Sequence, residues 1–487
     1  MRSGQSITQL KRLTRAAGGV VLLATIGRLF AQSQPATPDR PWHSSREQQI
    51  ISEGRPSRGP EIHIQPDKAY SLPELIDIAE MHNPETRVAW ENARAQAATL
   101  GIARSELFPT LAAVALAALD RQEAGFGSQF YRQTTPTLQI SLNLNYTIFD
   151  FGARRGRINA ESARLLATNF GFNDVHRQLI HDVSEVYYRL LNAAGQEEAA
   201  GANLVNAQTV QQAAEERLRN GLATLPDVLE ARSAAAQAQY DLQAVLGSEK
   251  IARGDLLTTL GAPSSTPIRV QPLSEVSTPE SIADTIEAAI SRALEQRSDL
   301  QAQVAEIRSA KAERQQARAA FYPNLGVMAG PSVESLYIHQ QQLPWAHSSD
   351  LTGSVAFTLS WTVFDGGARR SRLEQTEAQI RQAQARVSAA RDQIEDQVWT
   401  AYTNVNTALR QREAATALLT AAAQSYSAAL ESYNYGVRNL LDVTNAQKVL
   451  AQARSTDVLA RTQVLATLAD LAFRTGDAIQ ANARSRP

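Results

Sequence analysis

The sequence predicts a mainly helical protein with a small β part, built as two copies of one supersecondary block. Three observations predict it. The chain repeats itself at a fixed spacing: Phe149-Asp150-Phe151-Gly152-Ala153-Arg154-Arg155 returns 215 residues later as Phe364-Asp365-Gly366-Gly367-Ala368-Arg369-Arg370. Long Pro-free stretches carry apolar residues every seven positions. Two shorter stretches place large apolar residues at every second position.

The repeat extends well beyond one motif. Asn220-Gly221-Leu222, with Leu225 and Asp227-Val228, returns as Tyr435-Gly436-Val437 with Leu440 and Asp442-Val443, again 215 residues on, and Leu260-Gly261 returns as Thr475-Gly476. Rigid rods demand a constant length between paired motifs, and the period is too long for a solenoid unit. A length of 487 residues alone would suggest about three domains. The repeat argues instead for two halves of one architecture.

The N-terminus reads as a secretory signal over residues 1–31. Arg2, Lys11, Arg12 and Arg15 precede a short apolar core, and Leu29-Phe30-Ala31 offers a cleavage site. That core is well short of the roughly 20 residues that span a bilayer. Residues 32–70, rich in Pro, Ser, Arg and Gln, read as a disordered or surface-draped leader. The first repeat covers residues 71–261. Ser71 opens a helix with Pro73 in its first turn and Glu74 at capping-box spacing. A second helix runs from about Glu85 to Glu106 and stops before Pro109.

Leu107-Phe108-Pro109-Thr110-Leu111 matches Phe321-Tyr322-Pro323-Asn324-Leu325 at a spacing of 214, so the two copies differ by one residue before the later motifs. Polar, Gly- and aromatic-containing stretches follow at 120–136 and 331–350 and read as loops. Then come the alternating runs: Leu138, Ile140, Leu142, Leu144, Tyr146 and Ile148, and in the second copy Val355, Phe357, Leu359, Trp361 and Val363. Each is a strand with one apolar face. Each half therefore carries two strands joined by a loop that faces away from the helices.

Asp150 and Asp365 suit the cap of the helix that follows. In that helix Ile158, Leu165, Phe172, Leu179 and Val186 fall every seven residues, as do Leu373, Ile380, Val387 and Ile394 in the second copy. Such spacing predicts helices that supercoil on neighbours. The chain reverses at 221–226, and the return helix is about half as long. The helix before the first strand fills the gap by stacking on it end to end. Residues 262–280 link the halves, residues 281–476 form the second repeat, and 477–487 a tail.

Four strands per chain cannot close a membrane barrel, whose minimum is about eight, and an open sheet edge cannot face lipid. Three copies give twelve strands and twelve rods: a trimeric 12-stranded membrane β-barrel continuous with a long α-helical barrel. On the repeat, the two strand pairs, the Phe-Asp-x-Gly junctions, the unequal hairpin arms and the two turn motifs, the chain resembles the TolC-like outer membrane efflux proteins over nearly all of residues 71–476. The resemblance implies a homotrimeric exit duct in the outer membrane of a Gram-negative bacterium, extending into the periplasm. It also implies service to a tripartite efflux or type I secretion system, through a periplasmic adaptor (a membrane fusion protein) and an inner-membrane pump of RND, ABC or MFS type.

The resemblance further assigns adaptor docking to the tips, Asn220, Gly221 and Leu222 with Tyr435, Gly436 and Val437. It places a periplasmic gate at Asp227, Glu230, Arg438, Asp442 and Asn445, where Arg438 stands at the position of a tethering Arg and Asn445 where a second pore acid is expected. The plain structural roles are helix reversal for the glycines and N-capping for Asp227 and Asp442. An Asp227–Arg438 pair is expected to hold the gate shut. Tyr146 and Trp361 fit an aromatic girdle against outer-membrane lipid. The basic clusters around Arg154 and Arg369 read as solvated helix starts.

Composition bounds the alternatives. With 48 basic and 49 acidic residues and no interleaved aromatics, the chain offers no nucleic-acid surface. It has no Cys, which removes thiolate metal sites, thiol nucleophiles and a lipidated N-terminal Cys. Its His residues lack metal spacing, and no phosphate loop or Ser/His/Asp signature appears, so neither a cofactor nor enzymatic activity is expected. The competing readings are a periplasmic coiled-coil adaptor and a coiled-coil scaffold.

Overall fold

A computed structural model describes residues 62, 64–279, 281–282, 285–341 and 343–477. The expected signal sequence, most of the leader and nearly all of the tail lie outside the described residues. In chain order the elements are β1 (Ala69–Tyr70), α1 (Leu72–His82), α2 (Pro84–Ser105), β2 (Thr110–Phe126), β3 (Gln129–Phe149), α3 (Ala153–Arg219), α4 (Leu225–Thr259), β4 (Arg269–Val270), a 3-10 turn (Leu273–Glu275), α5 (Ile286–Gln296), α6 (Ser298–Ala319), β5 (Asn324–Gln340), β6 (Ala346–Ser360), α7 (Ala368–Asn434) and α8 (Leu440–Thr475).

The two long helices α3 and α7 each run 67 residues, about 100 Å. Their partners are composite. α4 has 35 residues and α2 has 22, and the two meet end to end where Asn83 Nδ2 donates to Thr259 O at 3.1 Å. The second copy does the same with α8 and α6: Arg292 reaches across to Asp477 at 2.8 Å, and Gly476 abuts Gln296 and Arg297.

The helix starts are built from local chemistry. Glu74 Oε2 accepts from both the backbone N and Oγ of Ser71 at 2.9 Å, closing the expected capping box. Bonds from Lys68 and Ser71 pull the Glu74 carboxyl down to about 2. At the strand-to-helix junctions Asp150 accepts from Gly152 N and Arg154 N, and Arg154 Nε returns to the same carboxylate at 2.8 Å. Asp365 and Arg369 reproduce this clasp, at 2.7 Å. The repeated Phe-Asp-x-Gly-x-Arg spacing is therefore a cap with its own counter-ion. Arg154 and Arg369 are mostly buried in it, which corrects the solvated reading for these two, whereas Arg155, Arg157, Arg370 and Arg372 are exposed as expected.

The four long strands form one antiparallel sheet in the order β2-β3-β5-β6. Its register sorts the side chains. Leu111, Leu144, Ala329 and Val355 lie abreast on one face, as do Ala115, Ile140, Val333 and Leu351. The other face carries Asn143, Ser141, Gln139, Ser332 and Glu334, with Gln139 Nε2 bonded to Ser332 Oγ at 2.9 Å. Leu351, Val355, Phe357 and Leu359 are each about 70% exposed in the single chain. β2 and β6 have free outer edges.

Three expectations need correction here. The stretches 120–136 and 331–350 are not loops. β2 and β3 run on to a turn at Gly127-Ser128, and β5 and β6 to a connection between Gln340 and Ala346. Polar side chains occupy both faces there, so the period-2 signal fades while the backbone ladder continues. The last strand ends at Ser360 rather than beyond Val363, because β6 is an edge strand with no partner to hold those residues. The leader is ordered at its end: β1 pairs in parallel with β4, and Tyr70 is buried.

That small sheet drapes the inter-repeat segment over the main core. Ile268 is buried there beside Leu75, Val183, Tyr187, Leu190, Leu191, Leu256 and Leu257. The heptad series is only partly the buried seam. Of its first-copy members Leu179 is buried, while Ile158, Leu165, Phe172 and Val186 are half-buried. Nearer the sheet α3 packs on α6 through Gly156, Ala160, Ala163 and Ala167. A Cβ on Gly156 would lie 2.8 Å from Gln316 N, so small residues let these backbones approach.

Candidate functional site at the hairpin tips

Each hairpin reverses through the same turn. After α3, Gly221 N donates to Leu218 O and Leu222 N to Arg217 O at 2.7 Å. After α7, Gly436 N donates to Tyr433 O and Val437 N to Ser432 O at 2.9 Å. This double closure requires a left-handed residue, and Gly221 and Gly436 supply it with φ of 71° and 78°. Asn220 and Tyr435 are the helix C-caps. The turns push Leu222, Tyr435 and Val437 outward, 65%, 78% and 78% exposed. Beneath them a core of Val210, Ala214, Val228, Tyr426, Tyr433 and Val443 holds both hairpins together.

The return helices are capped by residues that the sequence reading passed over. Thr224 and Asn439 are the N-caps; Asp227 and Asp442 stand three residues further on. Asn439 Oδ1 accepts from Asp442 N at 2.9 Å. Asp227 Oδ2 accepts from Thr224 N at 2.8 Å and Thr224 Oγ1 at 2.7 Å. Those bonds, with the charge of Arg217, hold the Asp227 carboxyl below its ordinary value. The Thr-x-x-Asp spacing was the available signal.

Within the chain Asp227 therefore engages Thr224 and Arg217, and the expected pairing with Arg438 is not made. Arg438 is exposed, and among the described residues its side chain has no hydrogen-bond or ion-pair partner. Glu230 instead meets Thr444, whose Oγ1 lies 3.3 Å from Glu230 Oε1 and links the two return helices. Asn445 is exposed, and Asp442 half-buried.

The connecting residue is Arg217. Its Nη1 donates to Tyr433 O at 2.8 Å and Asn434 O at 3.2 Å, and its guanidinium lies 4.7 Å from the Tyr433 ring centre. A cation thus sits at the C-terminus of α7, where the helix dipole favours it. It fastens the first hairpin to the second inside one chain. At the far end Tyr146 faces the apolar side of the sheet and lies 5.8 Å from the Arg154 guanidinium, while Trp361 Nε1 donates to Phe321 O at 3.2 Å.

Two hairpins, each with one long and one short arm, beneath an amphipathic sheet define a class of membrane channel. The family described as outer membrane efflux protein matches residues 75–262 and 289–477, and the chain belongs to that family. It is 28% identical to the protein CyaE of Bordetella pertussis over 82% of this chain and 83% of that one. It is 25% identical to the outer membrane protein OprJ of Pseudomonas aeruginosa over 77% and 78%. A membrane protein of Pseudomonas aeruginosa shares the fold, with a TM-score of 0.73 and 23% identity over 85% of this chain and 99% of that one. The chain is accordingly an outer-membrane efflux channel with a periplasmic helical extension, a transport protein and not an enzyme. Among the described residues no helix is long and apolar enough to cross a membrane. Paired hairpins on a four-stranded sheet also set aside the adaptor and scaffold readings.

Proposed function

We propose that three copies of this chain assemble into a closed exit duct, which docks by its tips on a periplasmic adaptor and so receives cargo from an inner-membrane pump. The carrying observation is the open-edged, four-stranded sheet with one continuous apolar face. Its unpaired edges are untenable in lipid, and three such sheets supply twelve strands. Leu222, Tyr435 and Val437 give the adaptor an apolar contact at the tips. Tyr146 and Trp361 are assigned to the lipid interface. At the gate Arg438 is free to engage a neighbouring copy, with Asp227, Glu230, Asp442 and Asn445 around the narrowing lumen. An exposed pair of this kind is worth only about 0–1 kcal/mol, so a partner that binds the open state better can release it.

Chemical cross-linking of the purified protein in detergent tests the assembly. Bands stopping at three copies are expected; a chain that stops at one or two overturns the proposal. In a planar bilayer, Arg438→Ala should raise single-channel conductance, and Asp442→Asn should weaken cation preference. Unchanged values for both variants would move the constriction elsewhere.

A further inference from the structure

The charges near the hairpin turns of the sheet are sorted by face. Asp120, Glu334 and Asp350 lie on the polar face, in register with Thr135, Gln139 and Glu334 respectively. The opposite face, which carries Leu111, Ile140 and Val333 lower down, bears cations and rings instead. Arg121 stands opposite Thr134, and Thr134 opposite His339. Arg132 stands one step further out, opposite Glu123, which is the acid on this face. Arg121 and Arg132 are thus diagonal neighbours, about 7–8 Å apart. Both are exposed, and among the described residues no carboxylate lies within ion-pair distance of either.

Beside them the rings are paired. Tyr337 and His347 lie 4.3 Å apart, and His339 and Trp345 lie 4.7 Å apart. Trp345 remains 54% exposed and Tyr337 42%. Immediately below come exposed apolar side chains, Leu138, Ile140, Val333 and Leu351. From the turns inward this face reads as guanidinium, aromatic platform, then hydrocarbon.

We infer that this band binds a glycolipid with phosphate groups on its sugar head, seated in the outer leaflet. The inference rests on the reading of the sheet as a membrane wall. Arg121 and Arg132 take the phosphates by charge-assisted bonds. The two ring pairs lie against the sugar at the wet margin, where amphipathic rings belong. The acyl chains run down the apolar rows. Basic residues at a membrane surface favour anionic lipid, so the two arginines together change retention by about tenfold or more.

Native mass spectrometry of the full-length protein in detergent tests this with three probes: a bis-phosphorylated acylated glucosamine disaccharide, its phosphate-free counterpart, and inorganic phosphate. The phosphorylated lipid is expected to remain bound at least about tenfold better than the phosphate-free one. The R121A/R132A double variant should lose that preference, and R121K/R132K should keep most of it, with channel conductance unchanged in both. Equal retention of the two lipids, or full retention by R121A/R132A, overturns the site. Displacement of the lipid by an equal concentration of inorganic phosphate also overturns it, in favour of a free-phosphate site. Failure of the unmodified protein to form any channel would instead remove the membrane-wall reading beneath it.

Discussion

Two arginines of α3 do the same work at two heights. Arg217 caps the end of α7 and stacks on Tyr433; Arg177 donates to Phe473 O at 2.6 Å and lies 4.3 Å from the Phe473 ring centre. Each places a cation where a helix of the other repeat ends and carbonyls are left unpaired. Arg177 is 2% exposed and also bonds Asp174, with Asp299 at 3.7 Å. Replacing it with Met strips Asp174 and the Phe473 carbonyl of this partner, while Asp299 keeps Arg297. Discounted for the partial exposure of the carboxylates, the loss is about 2–3 kcal/mol, readable as a lower denaturant midpoint. Arg217→Ala is milder, about 1 kcal/mol, and should speed hydrogen exchange at residues 433–437 about fivefold while the sheet stays protected.

The same junction predicts acid sensitivity. Burial alone would raise the Asp299 carboxyl, but bonds from Arg297 and the charges of Arg297 and Arg177 bring it below its ordinary value of 3.8. The folded state therefore binds this proton less readily than the unfolded state. Its stabilisation is complete above pH 3.8 and is lost as pH falls through the lower folded value. An acid titration should show the unmodified protein losing stability over that range, and Asp299→Asn should flatten this part of the curve. None of this was legible beforehand. The sequence marks Arg177 and Arg217 only as two helical arginines among many, because their partners lie 296 and 216 residues away. Thr224 and Asn439 were legible, from cap spacing alone.

At the scale of elements, local period decided what could be read. The helices, their reversals and the junction caps follow from repeats and cap chemistry within a few residues. The strand lengths do not, since an extended ladder that leaves the hydrocarbon keeps its backbone bonds but loses its apolar alternation. Nor does the α3–α6 seam, where Ala and Gly replace the large residues that a heptad leads one to expect. Two glycines of α3 separate the cases. Gly156→Ala drives a methyl to within 2.8 Å of Gln316 N and should cost about 1–3 kcal/mol as overpacking. Gly171 has open space around it in the chain, so Gly171→Ala should gain about 0.5–1 kcal/mol of helix propensity. Thermal stability of both variants in one detergent checks the pair. A loss at Gly171 would mean that a neighbouring copy fills that space.

For the whole molecule, the internal repeat carried most of the architecture, because a constant spacing between motifs translates directly into rods of equal length. The asymmetries came from the structure. β3 is an interior strand and β6 an edge, so equivalent residues such as Tyr146 and Trp361 meet different surroundings. Arg217 has Ser432 as its counterpart 215 residues on, so the fastening between the hairpins runs one way. In a threefold assembly these ties inside each chain, Arg217 with the shared core beneath it and the Glu230–Thr444 contact, set the number of independent leaves in the iris. Six hairpins could in principle swing separately, but with each pair clasped inside its own chain only three wedges move. On the proposed reading, a partner that grips one hairpin of a chain drags the other with it, and three grips suffice to dilate the aperture.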